Sequence, residues 1–239
     1  KGSKDALEEG TDYTVSYDTE NFVDVKTITV TITGKGNYSG VVTKTYQITE
    51  RPIEVTGKQE EFTYDGTLHK VEGVTATNLV EGHKISSKDA VAERTEEGQT
   101  NMGLTQSSSY EIKDAGDKDV TKNYSISKVT DGYVKINADG LNETDFEVSG
   151  LSNHVYDGEN HKDVPVVTKK GSKDALEEGT DYTVSYDTEN FVDVKTITVT
   201  ITGKGNYSGV VTKTYQITER PIEVTGKQEE FTYDGTLHK

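Results

Sequence analysis

The stretch KTITVTIT at residues 26–33 decides the fold class. Ile28, Val30 and Ile32 fall on one side, and Thr27, Thr29, Thr31 and Thr33 on the other. Strict alternation of this kind has the period of a strand, and β-branched residues on both sides suit a half-buried pleated surface. Working outward, DYTVSYD before it sets Tyr13, Val15 and Tyr17 on one face. VVTKTYQI after it does the same with Val42, Tyr46 and Ile48, with Lys44 interrupting the apolar row. Further along, HKISS, YSISKV and GYVKI repeat the pattern, and Gly, Asp-Gly and Asn-Tyr clusters separate the runs at hairpin spacing. The one helical signal is SKDALEEG at residues 3–10, where Ser3 and Gly10 would cap and stop a single turn. The expectation is an all-β chain of small antiparallel, immunoglobulin-like sandwiches, with roughly six to eight strands in each.

The second decisive feature is a copy. Residues 1–70 are identical to residues 170–239, an offset of 169. That period far exceeds the ~20–50 residues of a solenoid repeat and is long enough for whole domains. The unit is itself double. IEVTGKQEEFTYDGTLHKV from Ile53 and FEVSGLSNHVYDGENHKDV from Phe146 share Glu-Val, a Gly, Tyr-Asp-Gly and then His-Lys. Two related modules therefore alternate. The segmentation reads 1–48 as the later part of module A, 49–138 as module B, 139–217 as module A, and 218–239 as the opening of module B. The chain opens without Met and both ends fall inside modules, so a window onto a longer protein is expected. Residues 1–48 and 219–239 are expected to be less stable than the middle.

Composition narrows the function classes. A net charge of −16 argues against a nucleic-acid groove and against an anionic membrane surface. The absence of Cys removes disulfides and thiolate metal sites. No apolar run approaches the ~20 residues that span a bilayer, so no membrane insertion is expected of this segment.

Most candidate motifs have a plainer explanation. GKGNYSG at residues 34–40 superficially resembles a phosphate loop, but no Lys-Ser/Thr follows and the next element is a strand. A hairpin loop is expected. SISK at residues 125–128 matches an acyl-enzyme signature without its partner motifs. His69 and His161 share one position after Tyr-Asp-Gly, which marks a repeated structural element, and none of the five His forms a close metal-binding pair. Asp114, Asp117 and Asp119, and Asp139 and Asp145 near Asn137 and Asn142, offer hard oxygen ligands for calcium. Turn chemistry accounts for the same residues. No other cofactor is indicated. Gln47 and Lys44 are conceivable donors to an ester or isopeptide cross-link, against the alternative of an ordinary polar strand face. Asn37, Asn123 and Asn142 match the glycosylation sequon, and turn roles are expected for Asn37 and Asn123. The carboxylates sit in turns and on strand faces, where a glycosidase would need a facing pair in a cleft.

The stretches at residues 63–85 (TYDGTLHKVEGVTATNLVEGHKI), 119–136 (DVTKNYSISKVTDGYVKI) and 12–48 resemble the YDG/MBG-type immunoglobulin-like repeats of Gram-positive surface adhesins. The resemblance covers nearly the whole chain. It implies a secreted protein on the bacterial cell surface, attached to the wall through regions outside this segment, with a ligand-binding head elsewhere. It carries over no catalytic residues, so a non-enzymatic stalk is expected whose partners are neighbouring repeats. The alternative is that the modules bind host glycan, mucin or matrix protein weakly and gain avidity from repetition, through Tyr13, Tyr17, Tyr38, Tyr64 and Tyr110 if exposed. The perfect identity of the copies departs from such repeats in general and points to recent duplication or continuing homogenisation. It suits a spacer, in which unit number can change without disturbing a site.

Overall fold

The computed structural model describes residues 6–239. Strand accounts for 47% of the chain and helix for about 1%, so the fold is all-β. The one helical element among the described residues is a single 3-10 turn, Thr121–Asn123. The chain divides into two compact units, one up to Asn137 and one from Ala138 onward.

KTITVTITG forms the central strand of a sheet in both copies. In the first, Lys26–Gly34 lies between Tyr13–Tyr17 and Val41–Ile48, both antiparallel to it. In the second, Lys195–Gly203 lies between Tyr182–Tyr186 and Val210–Thr218. The registers agree: Ile28 faces Tyr46, and Ile197 faces Tyr215. The alternation places Ile197, Val199 and Ile201 in the core with no exposure. The GKGNYSG loop closes the hairpin, as Gly34 N–H donates to Gly40 O at 2.9 Å. A Cβ on Gly34 would lie 2.8 Å from the Ser39 nitrogen, so the tight turn needs glycine there.

Between residues 51 and 137 the strands pair in several small sheets. Arg51–Gly57 lies between Tyr124–Thr130 and Val74–Ala76, and Tyr133–Asn137 lies between Gln59–Thr63 and Gly98–Asn101. Two separate clusters form the interior, one around Ile53, Val55 and Ile112, the other around Val71, Val134 and Ile136. In the second unit one larger cluster joins Leu141, Phe146 and Val167 to Ile197, Val211 and Tyr215.

The pairing corrects the expectation of purely antiparallel sheets. Arg51–Gly57 runs parallel to Tyr124–Thr130, and Gln59–Thr63 parallel to Tyr133–Asn137. In the second unit Asp139–Gly140 and His154–Val155 run parallel to Tyr207–Ser208 and Val210–Thr218. In each case an early strand lies beside a late one running the same way. Parallel neighbours need a long connection, and here the intervening chain supplies it.

The helical turn expected over residues 3–10 is not seen where it is described. Residues 1–5 lie outside the described residues, and the identical stretch at 172–179 is non-helical, with Ala175 bridging Thr168. There the Asp174 N–H donates to Ser172 Oγ at 3.1 Å, a turn contact two residues apart. Ser prefers such local bonds to a helix interior.

Candidate functional site: the joint after the first sheet

The loop TENFVDV precedes the central strand in both copies and builds the same socket in each. Asn21 Oδ1 accepts the N–H groups of Val23 and Asp24 at 3.0 and 3.1 Å, and Asn21 Nδ2 donates to Asp24 Oδ2 at 2.6 Å. Asn190 repeats all three bonds around Val192 and Asp193 at 3.0, 3.1 and 2.6 Å. Lys26 and Lys195 each donate to the Thr at the start of their own loop, Thr19 and Thr188. The socket is thus set by local sequence, as side-chain turns of Asn and Asp are.

Among the described residues the first socket alone is filled, the given sequence containing no second copy of Asn123. Asn123, at the end of the 3-10 turn, donates from Nδ2 to Asp24 Oδ1 at 2.7 Å and accepts the Val25 N–H on Oδ1 at 2.9 Å. Lys122 and Lys118 place their ammonium groups 3.6 and 3.8 Å from Asp24 Oδ2. Asp24 is buried at 5% exposure, whereas its copy Asp193 is exposed. The bonds from Asn123 and then Asn21 hold the Asp24 carboxyl at about 2, below its ordinary 3.8, with the two lysines adding to the shift. Beside this contact a cleft of about 500 Å³ is lined by Val25, Gln47, Ile48, Glu50 and Ser125. Across the same short connection Arg51 donates to Asn78 O and Oδ1 at 2.7 and 2.9 Å, and Asn78 Nδ2 donates to Pro52 O at 2.8 Å.

The joint has a direct test. A net hydrogen bond is worth ~0.5–1.5 kcal/mol, so the Val25 amide is expected to exchange ~2–10-fold more slowly than after Asn123→Ala. Hydrogen exchange read by NMR measures this. Acid gives the same answer by another route. A carboxyl whose folded pKa is depressed stabilises fully above its ordinary value and loses that contribution as pH falls through the folded one. The joint should therefore loosen between about pH 4 and pH 2, with Val25 protection falling in that window.

Sequence reasoning assigned Asn123 to a turn. It does end one, but its side chain reaches a partner 99 residues away, which no spacing rule exposes. The calcium candidates serve as turn acceptors and ion-pair partners. Asp114 Oδ1 accepts from Gly116 and Lys118 N–H, and Asp119 Oδ1 from the Thr121 N–H and hydroxyl, which lowers the Asp119 pKa. Asp117 lies 3.5 Å from Lys113 Nζ in a left-handed conformation, φ 66°. Asp139 accepts from Lys169 Nζ at 2.6 Å, and Asp145 from Asn142 Nδ2 at 2.8 Å. Among the described residues no group of three or more His, Asp or Glu is placed to hold a metal ion. Gln47 Nε2 lies 3.4 Å from Thr27 Oγ1 on an exposed face, and Lys44 is exposed.

The repeated histidines complete a turn. Asp65 Oδ1 accepts the Thr67 hydroxyl and N–H and faces His69 Nε2 at 3.1 Å, which holds its carboxyl at about 2. His69 stacks on Phe62, whereas the corresponding His161 stacks on His154 with centroids 4.3 Å apart. Of the five tyrosines singled out, Tyr17 and Tyr38 are exposed and Tyr13, Tyr64 and Tyr110 are half-buried. Among the described residues no helix is long and apolar enough to cross a membrane. The chain matches no known protein-family profile and no curated protein in sequence.

Proposed function

We propose that the chain is a non-catalytic stalk segment of a bacterial cell-surface adhesin, built of immunoglobulin-like β-sandwich modules set end to end as a rod. It projects a binding domain carried elsewhere in the protein, which is anchored to the wall outside this segment. What supports this most is the parallel pairing of early with late strands. Arg51 faces Tyr124 and Asn137 faces Thr63, so the chain enters beside one end of the paired strands and leaves at the other. Asp139 beside Tyr207 and Val155 beside Thr218 repeat the arrangement. Modules with entry and exit at opposite ends add length when joined in series. The filled Asp24 socket supports a joint that resists bending, and the identity of the copies suits a part whose only variable is number. The net charge of −16 favours an extended, soluble chain through self-repulsion.

The alternative, weak binding of host glycan or matrix protein by exposed tyrosines, draws less support. Tyr17 and Tyr38 are exposed, but their copies Tyr186 and Tyr207 are half-buried in the second unit, and Tyr182, the copy of Tyr13, is buried. A recognition surface would be presented by every copy.

Small-angle X-ray scattering on one, two and three consecutive 169-residue units tests the stalk. Strands of ~10 residues give modules roughly 30–35 Å long, so each unit should add roughly 60–70 Å to the maximum dimension. Growth much slower than linear would overturn the proposal.

A further inference from the structure

The two compact units answer one packing problem with different chemistry. In each, an early strand lies parallel to a late one: Gln59–Thr63 beside Tyr133–Asn137, and His154–Val155 beside Val210–Thr218. Three positions correspond across the units. Two residues before Tyr-Asp-Gly, Phe62 faces the buried Ile136 and His154 faces the buried Ile217. Two residues after the shared histidine stand Val71 and Asp163, and two before the buried isoleucine stand Val134 and Tyr215.

In the first unit the set is apolar. Phe62 packs on the cluster that holds Val71 and Val134, which are 1% and 0% exposed. In the second unit the set is polar and joined up. His154 Nε2 lies 3.0 and 3.1 Å from the two carboxyl oxygens of Asp163. The Tyr215 hydroxyl accepts the Asp163 N–H at 3.3 Å and donates to His161 O at 2.8 Å, and the His154 and Tyr215 rings meet edge to face. Each member therefore suits only its own set. An aspartate in the place of Val71 would bury a carboxylate, and a valine in the place of Tyr215 would take the hydroxyl from Asp163 and His161. A buried polar group stripped of its partner costs more than the bond contributed, whereas replacing all the partners by apolar groups is close to neutral. The parallel ladder is two residues long in the second unit against five in the first, so side chains carry more of the pairing there.

We infer that His154, Asp163 and Tyr215, with their counterparts Phe62, Val71 and Val134, form a matching code that fits each early segment to the late strand of its own unit and rejects the other kind. Rejection matters in a chain that carries both kinds, because related neighbours misassemble by exchanging elements, and specificity needs a cost set against the wrong partner. The code does not depend on the stalk role.

Two equivalent amides report on the pairing: Tyr64 N–H donates to Asn137 O at 2.8 Å and Tyr156 N–H to Thr218 O at 2.9 Å. Their hydrogen exchange is read by NMR in the full 239-residue chain. Phe62→His with Val71→Asp should speed exchange at Tyr64 on the order of 100-fold, and His154→Phe with Asp163→Val should speed it at Tyr156 on the order of 10-fold. Adding Val134→Tyr to the first pair, or Tyr215→Val to the second, completes the other set and should recover most of that loss. Made alone, either third substitution should speed exchange, since one overfills a packed core and the other leaves a cavity. Recovery is therefore a result that a merely structural role would not give. The inference is overturned if either pair of substitutions leaves exchange unchanged. It is equally overturned if the third substitution deepens the loss, or if a unit carrying all three stays unfolded.

Discussion

Tyr215→Ala is expected to destabilise the unit from Ala138 onward by ~3–5 kcal/mol, the usual cost of deleting a large buried aromatic. Tyr46→Ala, the same substitution at the same place in the same repeat, should stay within ~1 kcal/mol, as surface changes do. Tyr215 is 2% exposed, packs in the main cluster, and both donates to His161 O and accepts the Asp163 N–H at 3.3 Å. Tyr46 is 44% exposed. Its strand and its register opposite Ile28 are those of Tyr215 opposite Ile197. On the face that carries this tyrosine the covering segment is what differs, so the gap between the two substitutions reads mainly what residues 139–169 contribute. Urea unfolding of each variant, followed by site-resolved exchange to separate the units, is the measurement. Equal costs at the two positions would mean that the first face is covered in solution.

The second large effect concerns residues 219–239. Residues 51–63 form two strands, with Ile53 and Val55 almost wholly buried. The identical residues 220–232 form none, and Ile222 and Val224 are 86% and 82% exposed. The missing ingredients are the strands that pair with Arg51–Gly57, namely Tyr124–Thr130 and Val74–Ala76. Appending a copy of residues 71–138 after Lys239 should therefore convert 220–232 into paired strands. The Ile222 and Val224 amides should then slow in exchange by a factor on the order of 10³ or more, as core strands open only with much of the global unfolding free energy. Unchanged exchange would mean that these strands need something other than their own module.

The exact copy inside the chain separates what local sequence settles from what it does not. The antiparallel trio around the central KTITVTITG is the same at both sites, with His154–Val155 added beside it in the second, because alternation and a tight glycine hairpin specify neighbouring strands. The Asn21–Asp24 loop recurs at Asn190–Asp193 for the same reason. The Tyr-Asp-Gly turn goes further. Asp234 accepts from Thr236 at 2.7 Å and faces His238 at 3.0 Å, as Asp65 does with Thr67 and His69, although no strand surrounds the second example. The loop and turn contacts span at most four residues and the sheet joins strands next to one another in sequence, so sequence alone determined them.

Everything that joins distant chain was decided by tertiary structure. The parallel pairs bring together strands some 70 residues apart, so alternation could announce the strands but not their direction relative to one another. Asn123 looked like any turn asparagine until the fold placed it against Asp24. The same Tyr, Val and Asp are buried at one site and exposed at the other, with nothing in their own neighbourhoods to tell them apart. Burial depends on which segment arrives to cover a face, and strand formation at 51–57 on which partners arrive to complete the ladder. A local pattern fixes what a segment can become; long-range contacts, which must offset the entropy of closing long loops, decide whether it does.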